Sequence, residues 1–427
     1  MFTRIKGTQD FLDLTLCNFL INSAQKHLTT YHFTQIATPI LEQLSLFQRS
    51  LGLETDVVTK EMYIVQSGNI TQNITTHEQG EEIICLRPEG TASIMRAFFN
   101  NNVDTIPWKV FSYGPMFRHE RPQKGRYRQF HQISIENLGA ESIAHDVELI
   151  TMLDRFFHEV LSLNSYALLI NFLGCIDDRA NFKQVLLQFL EKNSTIICAT
   201  CTERKDKNIM RVFDCKNPTC QELYRSAPHI VDSLCTACNQ EWETLKNLLL
   251  QLSVSFSVAP TLVRGLDYYN KTVFEFVSTE LGAQNTFCGG GRYDMLAQTL
   301  GEKKPLPALG AAIGIERVVL MLENIQSRLT LPQLPPLTTI VPISAEQHAL
   351  ALLLADQLRA HNLCVEVLLD GESTKSMMRK ANKMGSAFCL IIGSEEQASG
   401  QVTLKNMING TETKIAHIDV VKTLLGK

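Results

Sequence analysis

Two strand-like runs of ten or more residues flank a cationic loop, and this arrangement constrains the fold more than any other feature. "WKVFSYGPMF" begins at Trp108 and "RQFHQISIENL" begins at Arg128. Residues 117–132 hold seven Lys, Arg or His side chains, although the whole chain has a net charge of -4. Strand-like patterns on both sides of so long a loop predict an antiparallel hairpin without a tight turn. The loop is either a solvated surface feature or a site for an anion.

Other segments extend the hairpin into a larger sheet. "IICLRPEGTASIMRAFFNN" predicts a strand ending at Arg87, a Pro-Glu-Gly turn and a helix with Thr91 near its start. "LVRGLDYYNKTVFEFVS" and "NTFCGGGRYD" predict strands, and "PALGAAIGIERVVLMLENI" predicts a strand followed by a helix. These patterns indicate an α+β fold for the first part of the chain.

Changes of pattern along the chain predict its domains. We expect a first domain over residues 1–325, interrupted by a helical, cysteine-rich insertion at about 177–255. The proline-containing segment 326–336 is typical of a linker. Strand and helix patterns then alternate over residues 337–427, which predicts a small α/β domain.

Composition and missing motifs exclude several classes of protein. A hydrophobic content of 44% and a charged content of 20% are typical of a soluble globular protein. No apolar run is long enough for a membrane helix, and the N-terminus does not have the pattern of a secretory signal, so we expect a cytoplasmic protein without a membrane partner. The chain contains neither a G-x-x-x-x-G-K-[ST] loop nor a G-x-G-x-x-G turn after a strand. A nucleotide would therefore be bound on a sheet by arginines.

The second strand of the hairpin offers suitable groups for this. Because side chains alternate between the faces of a strand, one face is predicted to carry Arg126, Arg128, Phe130, Gln132, Ser134 and Glu136. Arginine forks match phosphate oxygens and an aromatic ring can stack on a base. Polar Gln132 and Glu136 lie among apolar neighbours, where unpaired polar groups are unfavourable. A charged loop over a half-buried sheet is the alternative interpretation.

Three further segments add candidate groups. In "VRGLDYY" a glycine after Arg264 can aim that arginine into a cleft, and two tyrosines follow. "CGGGRYD" places three glycines before Tyr293, which indicates a close backbone approach. Arg317 is predicted in the first turn of a helix, where a cation opposes the helix dipole unless an anion binds there. Each of these residues is also compatible with ordinary packing or a solvated surface.

Together these motifs resemble those of class II aminoacyl-tRNA synthetases, and within that class the chain is similar to histidyl-tRNA synthetases of the bacterial type. The similarity runs from end to end. "KGTQDF" resembles the N-terminal element of the family, and "TPILEQLSLFQRSLGLETDVVTKEMY" its motif 1. "FRHERPQKGRYRQFHQ" resembles motif 2, and "GAAIGIERVVLML" motif 3. "RGLDYY" and "GGGRYD" resemble the elements specific to histidine.

The resemblance implies a fold and a reaction. It implies an antiparallel catalytic sheet with flanking helices in the first domain, and an anticodon-binding function for the second. Histidine and ATP would give histidyl-adenylate and pyrophosphate, with Mg²⁺ neutralising the pyrophosphate, and histidine would then pass to the 3' end of its tRNA. No general base is needed, because the histidine carboxylate is itself the nucleophile, so catalysis depends on positioning and charge stabilisation. A homodimer is implied, with the motif 1 helix in its interface.

The resemblance also implies roles for individual residues. Arg118 and Arg264 would be catalytic and hold the α-phosphate and the substrate carboxylate. Histidine would be bound by Glu89, Gly90, Thr91, Arg118, Gln132, Glu136, Arg264, Tyr268, Tyr269 and Tyr293. ATP would be bound by Arg118, Glu120, Arg126, Phe130 and Arg317, with Phe130 stacked on adenine and Arg317 on the γ-phosphate. Arg121 and Gln123 would contact the acceptor end of the tRNA.

Two further features of the sequence lie outside the motifs described above. Lys375, Arg379 and Lys383 follow helical spacing and predict a basic stripe, suited to tRNA phosphates or simply solvated. Two C-x-x-C pairs, Cys198 with Cys201 and Cys235 with Cys238, suggest one structural zinc. Their wide separation and the two cysteines between them, Cys215 and Cys220, leave reduced, unliganded cysteines as the alternative.

Two other functions remain compatible with the sequence. One is a paralogue of the synthetases that lacks ligase activity and regulates histidine biosynthesis. The other is a non-catalytic RNA-binding protein that uses the cationic loop and the basic helix. The presence of Arg118, Arg264, Tyr268, Tyr269 and Arg317, together with the second domain, favours the ligase over both.

Overall fold

The computed structural model describes residues 2–65, 83–282, 285–333, 335–370 and 373–426. The chain divides into two compact units, Met1–Leu331 and Pro332–Lys427. Leu334, within the predicted linker, lies outside the described residues. No helix in the described ranges is both long and apolar enough to cross a membrane.

The first unit contains both strands and α-helices. Its strands are β1 (Thr34–Gln35), β2 (Leu41–Gln43), β3 (Tyr63–Val65), β4 (Ile84–Leu86), β5 (Trp108–Phe117), β6 (Gln129–Leu138), β7 (Ala167–Phe172), β8 (Ser257–Val258), β9 (Asn270–Val277), β10 (Thr286–Arg292) and β11 (Ala308–Gly314). Its helices are α1 (Thr15–Thr30), α2 (Leu44–Leu51), α3 (Thr91–Asn100), α4 (Ala144–Arg155), α5 (Ile176–Lys192), α6 (Ala199–Lys207), α7 (Pro218–Tyr224), α8 (Thr236–Gln251), α9 (Leu296–Thr299) and α10 (Ile315–Ile325).

A large sheet forms the centre of this unit. Among the described residues it has the strand order β1-β5-β6-β11-β10-β9-β7-β8, antiparallel except for the edge pairs β1–β5 and β7–β8. Strands β5 and β6 pair from Trp108 opposite Leu138 to Phe117 opposite Gln129. The predicted hairpin and the predicted antiparallel sheet with flanking helices are confirmed. Strands β2, β4 and β3 form a separate small sheet.

Helical spacing explains how α1 packs against the large sheet. Its buried residues are Leu16, Leu20, Ala24 and Leu28, four positions apart, so they form one stripe. This stripe joins a core that includes Phe111 of β5 and the inner residues of α4 and α10. This core therefore covers one face of the two ten-residue strands, and the opposite face is available to build a site.

The insertion is helical, as predicted from its sequence. Helices α5 to α8 lie between β7 and β8 in the chain, with a short 3₁₀ helix at Ile209–Asp214. The apolar residues of α5 to α7 pack with α2, α3 and the tyrosines of residues 268–269, whereas those of α8 join the core that contains the stripe of α1. The insertion therefore shares a core with the elements around the predicted site.

A buried ion pair positions the segment that follows β10. Arg292 and Asp146 are each 1% exposed. The guanidinium Nε donates to both oxygens of Asp146, at 3.2 and 3.1 Å, and Nη1 donates to the carbonyl oxygen of Ala140 at 2.6 Å. An arginine this well satisfied is structural, and it holds the next residue, Tyr293, in a defined place.

The second unit is a small α/β structure, as predicted. Its strands are β12 (Leu337–Pro342), β13 (Cys364–Val367), β14 (Phe388–Ile392), β15 (Gln401–Asn406) and β16 (Glu412–Ala416). Its helices are α11 (His348–Ala360), α12 (Thr374–Lys383), α13 (Ser394–Ser399) and α14 (Val420–Leu424). The sheet has the order β13-β12-β14-β15-β16, with parallel pairing on both sides of β12.

Helix α12 carries the predicted basic stripe. Met377 and Ala381 are buried on its inner side. Lys375, Arg379 and Lys383 are all exposed. The helical spacing of these three residues is confirmed, and their side chains are accessible to a large partner.

Candidate active site

A cavity of about 490 Å³ opens in the first unit over the ends of the central strands. Its walls come from the β5–β6 hairpin, the start of α3, strand β10, the first turn of α10 and the segment before β9. Most of the predicted site residues line it: Glu89, Gly90, Thr91, Arg118, Glu120, Arg126, Phe130, Gln132, Arg264, Tyr268, Tyr269 and Arg317. The fold thus brings together residues from segments that are far apart in the chain.

Glu136 and Tyr293 lie beneath the wall of this cavity rather than on its surface. Each is 1% exposed. Oε1 of Glu136 accepts a hydrogen bond from the Thr91 hydroxyl at 2.6 Å, and Oε2 accepts one from the Tyr293 hydroxyl. Burial raises the pKa of Glu136 to about 8, although both hydrogen bonds oppose the shift. Glu136 is therefore one hydrogen bond away from the cavity, through Thr91.

Two glycines provide the space for this arrangement. A Cβ atom at Gly310 of β11 would collide with the Glu136 carboxylate, and one at Gly90 would collide with the Ser134 hydroxyl. The close approach of β11 to β6 thus requires glycine at position 310. Gly90 lets the first turn of α3 reach the sheet.

Glu89 lies two residues before the start of α3. Its carboxylate accepts hydrogen bonds from the backbone N–H of Thr91 at 2.6 Å and of Ala92 at 2.9 Å. Both N–H groups belong to the first turn of α3 and have no partner within the helix. Glu89 lines the cavity while it also caps α3, so it fixes the position of Thr91.

Arg264 is held by a carboxylate on the neighbouring strand. It forms an ion pair with Glu275 of β9, whose second oxygen accepts a hydrogen bond from Thr286 at 2.8 Å. Burial on its own would lower the pKa of Arg264, but the Glu275 charge outweighs it and raises the pKa. A Cβ atom at Gly289 would lie 2.5 Å from Nη1 of Arg264. The glycine run therefore makes room for this guanidinium.

Three more arginines line the cavity and form a positive region in its wall. Arg118 lies over the ring of Phe130, with Cζ 5.4 Å from the ring centroid. Arg126 pairs with Glu120. Arg317 donates to backbone carbonyls of Gly125 and Thr286. The pKa of Arg317 is lowered to about 10, first by burial and then by the charges of Arg126 and Arg118. Mutually repelling guanidinium groups in one wall favour a bound anion.

Some buried polar atoms in the cavity wall have no hydrogen-bond partner among the described residues. They include Oε1 of Gln132 and Nε of Arg264. A buried polar atom without a partner is unfavourable, so a ligand that reaches both atoms would gain affinity. One is an acceptor and the other a donor, which suits a ligand carrying both an ammonium and a carboxylate group.

Comparisons with known proteins identify the family of this chain. The family model for histidyl-tRNA synthetase matches residues 61–318, and that for an anticodon-binding domain matches residues 338–427. A histidine–tRNA ligase of Clostridioides difficile is 38% identical over 426 residues, which is 99% of this chain and 98% of the relative. This chain is a histidyl-tRNA synthetase family member. A second relative, from Thermodesulfovibrio yellowstonii, is 40% identical over 96% of this chain and 95% of its own length.

A solved structure supports the family fold. The apo histidyl-tRNA synthetase of S. aureus matches with a TM-score of 0.79 and 28% identity, over 99% of this chain and 100% of that one. The predicted resemblance and the predicted class II synthetase fold are confirmed.

A few predicted residues of this histidyl-tRNA synthetase family member lie away from the cavity wall. Arg121 and Gln123 are exposed on the motif 2 loop. Arg128, predicted on the same face as Arg126, instead donates to the carbonyl oxygens of Glu120 and Lys6, at 3.2 and 3.3 Å. It precedes β6, so strand alternation does not apply to it, and that part of the prediction is wrong.

Sequence reasoning missed residues that complete the wall. Glu275 lies between two buried phenylalanines in β9, a pattern that signals a functional carboxylate in a strand. Arg211 of the insertion is also in the wall, where it donates to the carbonyl oxygen of Gly265 and lies 3.5 Å from Asp267. No sequence pattern marks Arg211, because its role depends on where the insertion folds.

The cysteines of the insertion group differently from the prediction. Cys198 and Cys201 lie with Cys215 and Cys220, whereas Cys235 and Cys238 lie with Cys175 and Asp178. The predicted pairing of the two C-x-x-C motifs in one site is therefore wrong. Each motif starts a different helix, α6 or α8, and the two helices meet different neighbours.

Proposed function

We propose that this chain activates L-histidine with MgATP and transfers it to histidine tRNA, and that the cavity described above is the catalytic site. The observation that carries the assignment is that one cavity combines an arginine cluster with Oε1 of Gln132 and Nε of Arg264, which have no hydrogen-bond partner within the described part of the chain. The cluster suits a triphosphate and the unpartnered atoms suit an α-amino acid. A non-catalytic RNA-binding protein has no need for this second part.

The activation step is a displacement at phosphorus. A carboxylate oxygen of histidine attacks the α-phosphorus of ATP, and the bond to pyrophosphate breaks. Arg118 and Arg264 hold the α-phosphate and the carboxylate so that the reacting atoms are aligned. Their positive charge stabilises the negative charge that develops on the phosphate oxygens. In the second step a terminal ribose hydroxyl of the tRNA attacks the histidyl carbonyl and AMP leaves.

Each end of ATP has its own binding groups in this proposal. Arg317 binds the γ-phosphate, and its backbone hydrogen bonds to Gly125 and Thr286 keep it extended into the cavity. Phe130 stacks on adenine, and Glu120 and Arg126, which pair with each other, also line the cavity. Mg²⁺ would arrive with ATP as part of the substrate and would neutralise negative charge on the pyrophosphate.

The histidine side chain is selected by the polar groups near Tyr268. Tyr268 and Tyr269 line the cavity above Glu136 and Tyr293, and their ring centroids are 4.5 Å apart. Tyrosine hydroxyl groups that hydrogen-bond the imidazole would be left buried and unpaired with an amino acid that lacks these ring nitrogens. Glu136 acts through Thr91 and Tyr293, so it is a positioning residue. Gln132, Glu89 and Thr91 surround the ammonium group.

The tRNA meets two separate surfaces in this proposal. Arg121 and Gln123 are exposed on the motif 2 loop, next to residues that line the cavity, and they contact the acceptor end. The second unit binds the anticodon, and the exposed cations of α12 bind phosphates there. The domains proposed from the sequence, with residues 337–427 as the anticodon-binding domain, fit this division of labour. A cytoplasmic location follows from the tRNA substrate.

A homodimer is part of the same proposal. Exposed apolar residues lie on or beside the small sheet and α2, namely Ile40, Leu41, Leu53, Ile64 and Ile83. Such a concentration in the motif 1 region is typical of a protein–protein interface. Sedimentation velocity of the purified chain should give twice the monomer mass, and a concentration-independent monomer would contradict this part.

ATP–pyrophosphate exchange without tRNA tests the catalytic assignment. We expect exchange with histidine and not with the other amino acids. Exchange with a different amino acid would overturn the side-chain pocket, and the absence of exchange in folded protein with Mg²⁺ would overturn the activation step. The reaction uses no zinc, so a zinc ion in the cysteine-rich insertion would be structural.

A further inference from the structure

Four cysteine sulfurs converge in the insertion, outside the catalytic cavity. Cys198, Cys201, Cys215 and Cys220, here called the four-cysteine cluster, place their sulfur atoms within 4.8 Å of one another. The Cys198 and Cys215 sulfurs are 3.7 Å apart. Four sulfurs at about 2.3 Å from a central Zn²⁺ ion lie about 3.8 Å from each other in a tetrahedron. A disulfide would require about 2.05 Å, so the spacing matches a metal site and not a covalent bond.

The local structure around the cluster consists of short helices. Cys198 and Cys201 lie at the start of the nine-residue α6, Cys215 follows a 3₁₀ helix, and Cys220 is in the seven-residue α7. Helices of this length are marginal in isolation. The ligand spacing C-x₂-C-x₁₃-C-x₄-C joins the three segments at one point. A tetrahedral metal would connect the three segments at the point where their sulfur atoms converge.

The groups around the sulfurs suit thiolates. The backbone N–H of Cys198 donates to the Cys220 sulfur at 3.3 Å, and that of Asn217 donates to the Cys215 sulfur at 3.4 Å. The Tyr224 hydroxyl is buried beside Cys201 and finds no nitrogen or oxygen acceptor in the described part of the chain. A negatively charged sulfur accepts such hydrogen bonds better than a neutral thiol does. Three of the four cysteines are buried, so the site is closed to water.

The neighbouring group of Cys175, Asp178, Cys235 and Cys238 differs in a decisive respect. Both carboxylate oxygens of Asp178 already accept backbone hydrogen bonds, from Cys175 at 3.2 Å and from Cys235 at 2.8 Å. These bonds cap α5 and fix the start of α8, which explains the grouping without a metal. Cys235 is also exposed. This group carries no proposal and provides an internal control.

We propose that the four-cysteine cluster binds one Zn²⁺ ion through four thiolates, and that this metal holds the insertion segment that walls the catalytic cavity. Asp214 and Lys216, on either side of Cys215, line the cavity, as does Arg211. Arg211 bonds to Gly265, and Asn208 donates to Asp267 at 2.8 Å. The metal therefore affects the reaction only by holding these wall residues in position. This second half of the proposal rests on the proposed function, whereas metal binding does not.

Metal analysis of the purified full-length chain tests the binding site. We expect about one equivalent of zinc per chain in the wild type and in the control variant Cys235→Ser/Cys238→Ser. The Cys220→Ser variant should lose most of it. Zinc that is retained in Cys220→Ser, or lost in the control variant, would overturn the assignment, as would an iron content in place of zinc.

A second measurement avoids substitutions, in case Cys220→Ser does not fold. Alkylation of the native chain with iodoacetamide, read by mass spectrometry, reports each cysteine separately. Cys198 should react about tenfold faster after zinc is removed with a chelator, because a metal-bound thiolate is a poor nucleophile. Cys235 should react at the same rate before and after. Equal rates for Cys198 in both conditions would contradict the proposal.

The effect on the reaction is measured separately. The chelator-treated chain should show a higher KM for ATP or histidine in pyrophosphate exchange, and added Zn²⁺ should restore it. A zinc-free chain with unchanged kinetic constants would overturn the positioning role and leave the metal site intact. Failure of the wild-type chain to catalyse exchange at all would instead count against the proposed function.

Discussion

Thr91 donates a hydrogen bond to Glu136 at 2.6 Å, and this contact joins the first turn of α3 to the middle of the central sheet. Thr91 faces the cavity and Glu136 lies buried behind it. The same carboxylate also accepts a hydrogen bond from Tyr293, which the buried Arg292–Asp146 pair holds in place. Three separate motifs of the sequence thus meet at one buried carboxylate.

Replacing Glu136 with glutamine should raise the KM for histidine about 10- to 100-fold, with a smaller change in kcat. The amide keeps an oxygen acceptor for Thr91 but places an N–H donor where Oε2 accepts the hydrogen bond of Tyr293, so the side-chain pocket is disturbed. Pyrophosphate exchange at varied histidine concentration measures both constants. Glu159→Gln, at an exposed carboxylate, is the matched control. An unchanged KM in Glu136→Gln would remove Glu136 from the selection of histidine.

Glu136 should also make the stability of the ligand-free chain depend on pH. Its pKa is about 8 in the folded state against 4.5 ordinarily, so between these values the folded chain binds more protons than the unfolded chain. The contribution of this group to stability is then largest below about pH 4.5. It falls by at most about 1.4 kcal/mol per pH unit as the pH rises, and is fully lost above about pH 8.

Thermal unfolding of the wild type and of Glu136→Gln, from about pH 5.5 to about pH 8, measures that contribution. The glutamine does not titrate, so the Tm of the variant minus that of the wild type should increase as pH rises. Parallel curves would show that the Glu136 carboxyl titrates normally.

Arg264→Ala should lower the rate of pyrophosphate exchange by about 10²- to 10³-fold, because a positive group aimed at the reacting oxygens is lost. Arg264→Lys keeps the charge but cannot form the same two-pronged contact, so it should also be impaired. Circular dichroism checks that the fold survives the loss of the partner of Glu275. Arg225→Ala, at an exposed arginine, should behave as wild type. Near-normal exchange in Arg264→Ala would refute its catalytic role.

Arg292→Met should destabilise the first unit by about 3–5 kcal/mol, since it leaves the Asp146 carboxylate buried and unpaired. Urea unfolding followed by circular dichroism gives the free energy. The double variant Arg292→Met/Asp146→Asn should recover part of the loss, because the uncompensated charge is gone. A single variant as stable as the wild type would mean that water or another cation compensates Asp146.

Removing the three cations of α12, in Lys375→Ala/Arg379→Ala/Lys383→Ala, should weaken tRNA charging and leave pyrophosphate exchange unchanged. The dependence of tRNA affinity on salt should also become less steep, by up to about two to three counterions. Lys405→Ala/Lys414→Ala/Lys422→Ala removes the same charge from the same unit and serves as control. Equal effects of the two triple variants would indicate that the total positive charge of this unit attracts the tRNA, and not a binding surface on α12.

Much of the catalytic unit follows from local patterns. The alternation in residues 108–117 and 129–138 predicted the hairpin, and strand pairing carried Phe130 and Gln132 to the cavity. Arg264 and Tyr268 were identified from a motif whose residues lie close together in the chain. Such features can be predicted from the sequence because the residues concerned act within one strand or one turn. Arg128 was wrongly placed because it lies in the loop, where no period applies.

The sequence by itself determined the elements, the family and most of the residues that line the cavity. Only the tertiary structure decided which distant groups meet: Glu275 with Arg264, Arg211 with Gly265, and Cys198 with Cys215. The cysteine motifs look equivalent in the sequence, yet α6 and α8 pack against different neighbours. Local patterns report the conformation of a segment, whereas contacts between segments depend on how the whole chain excludes water from its core.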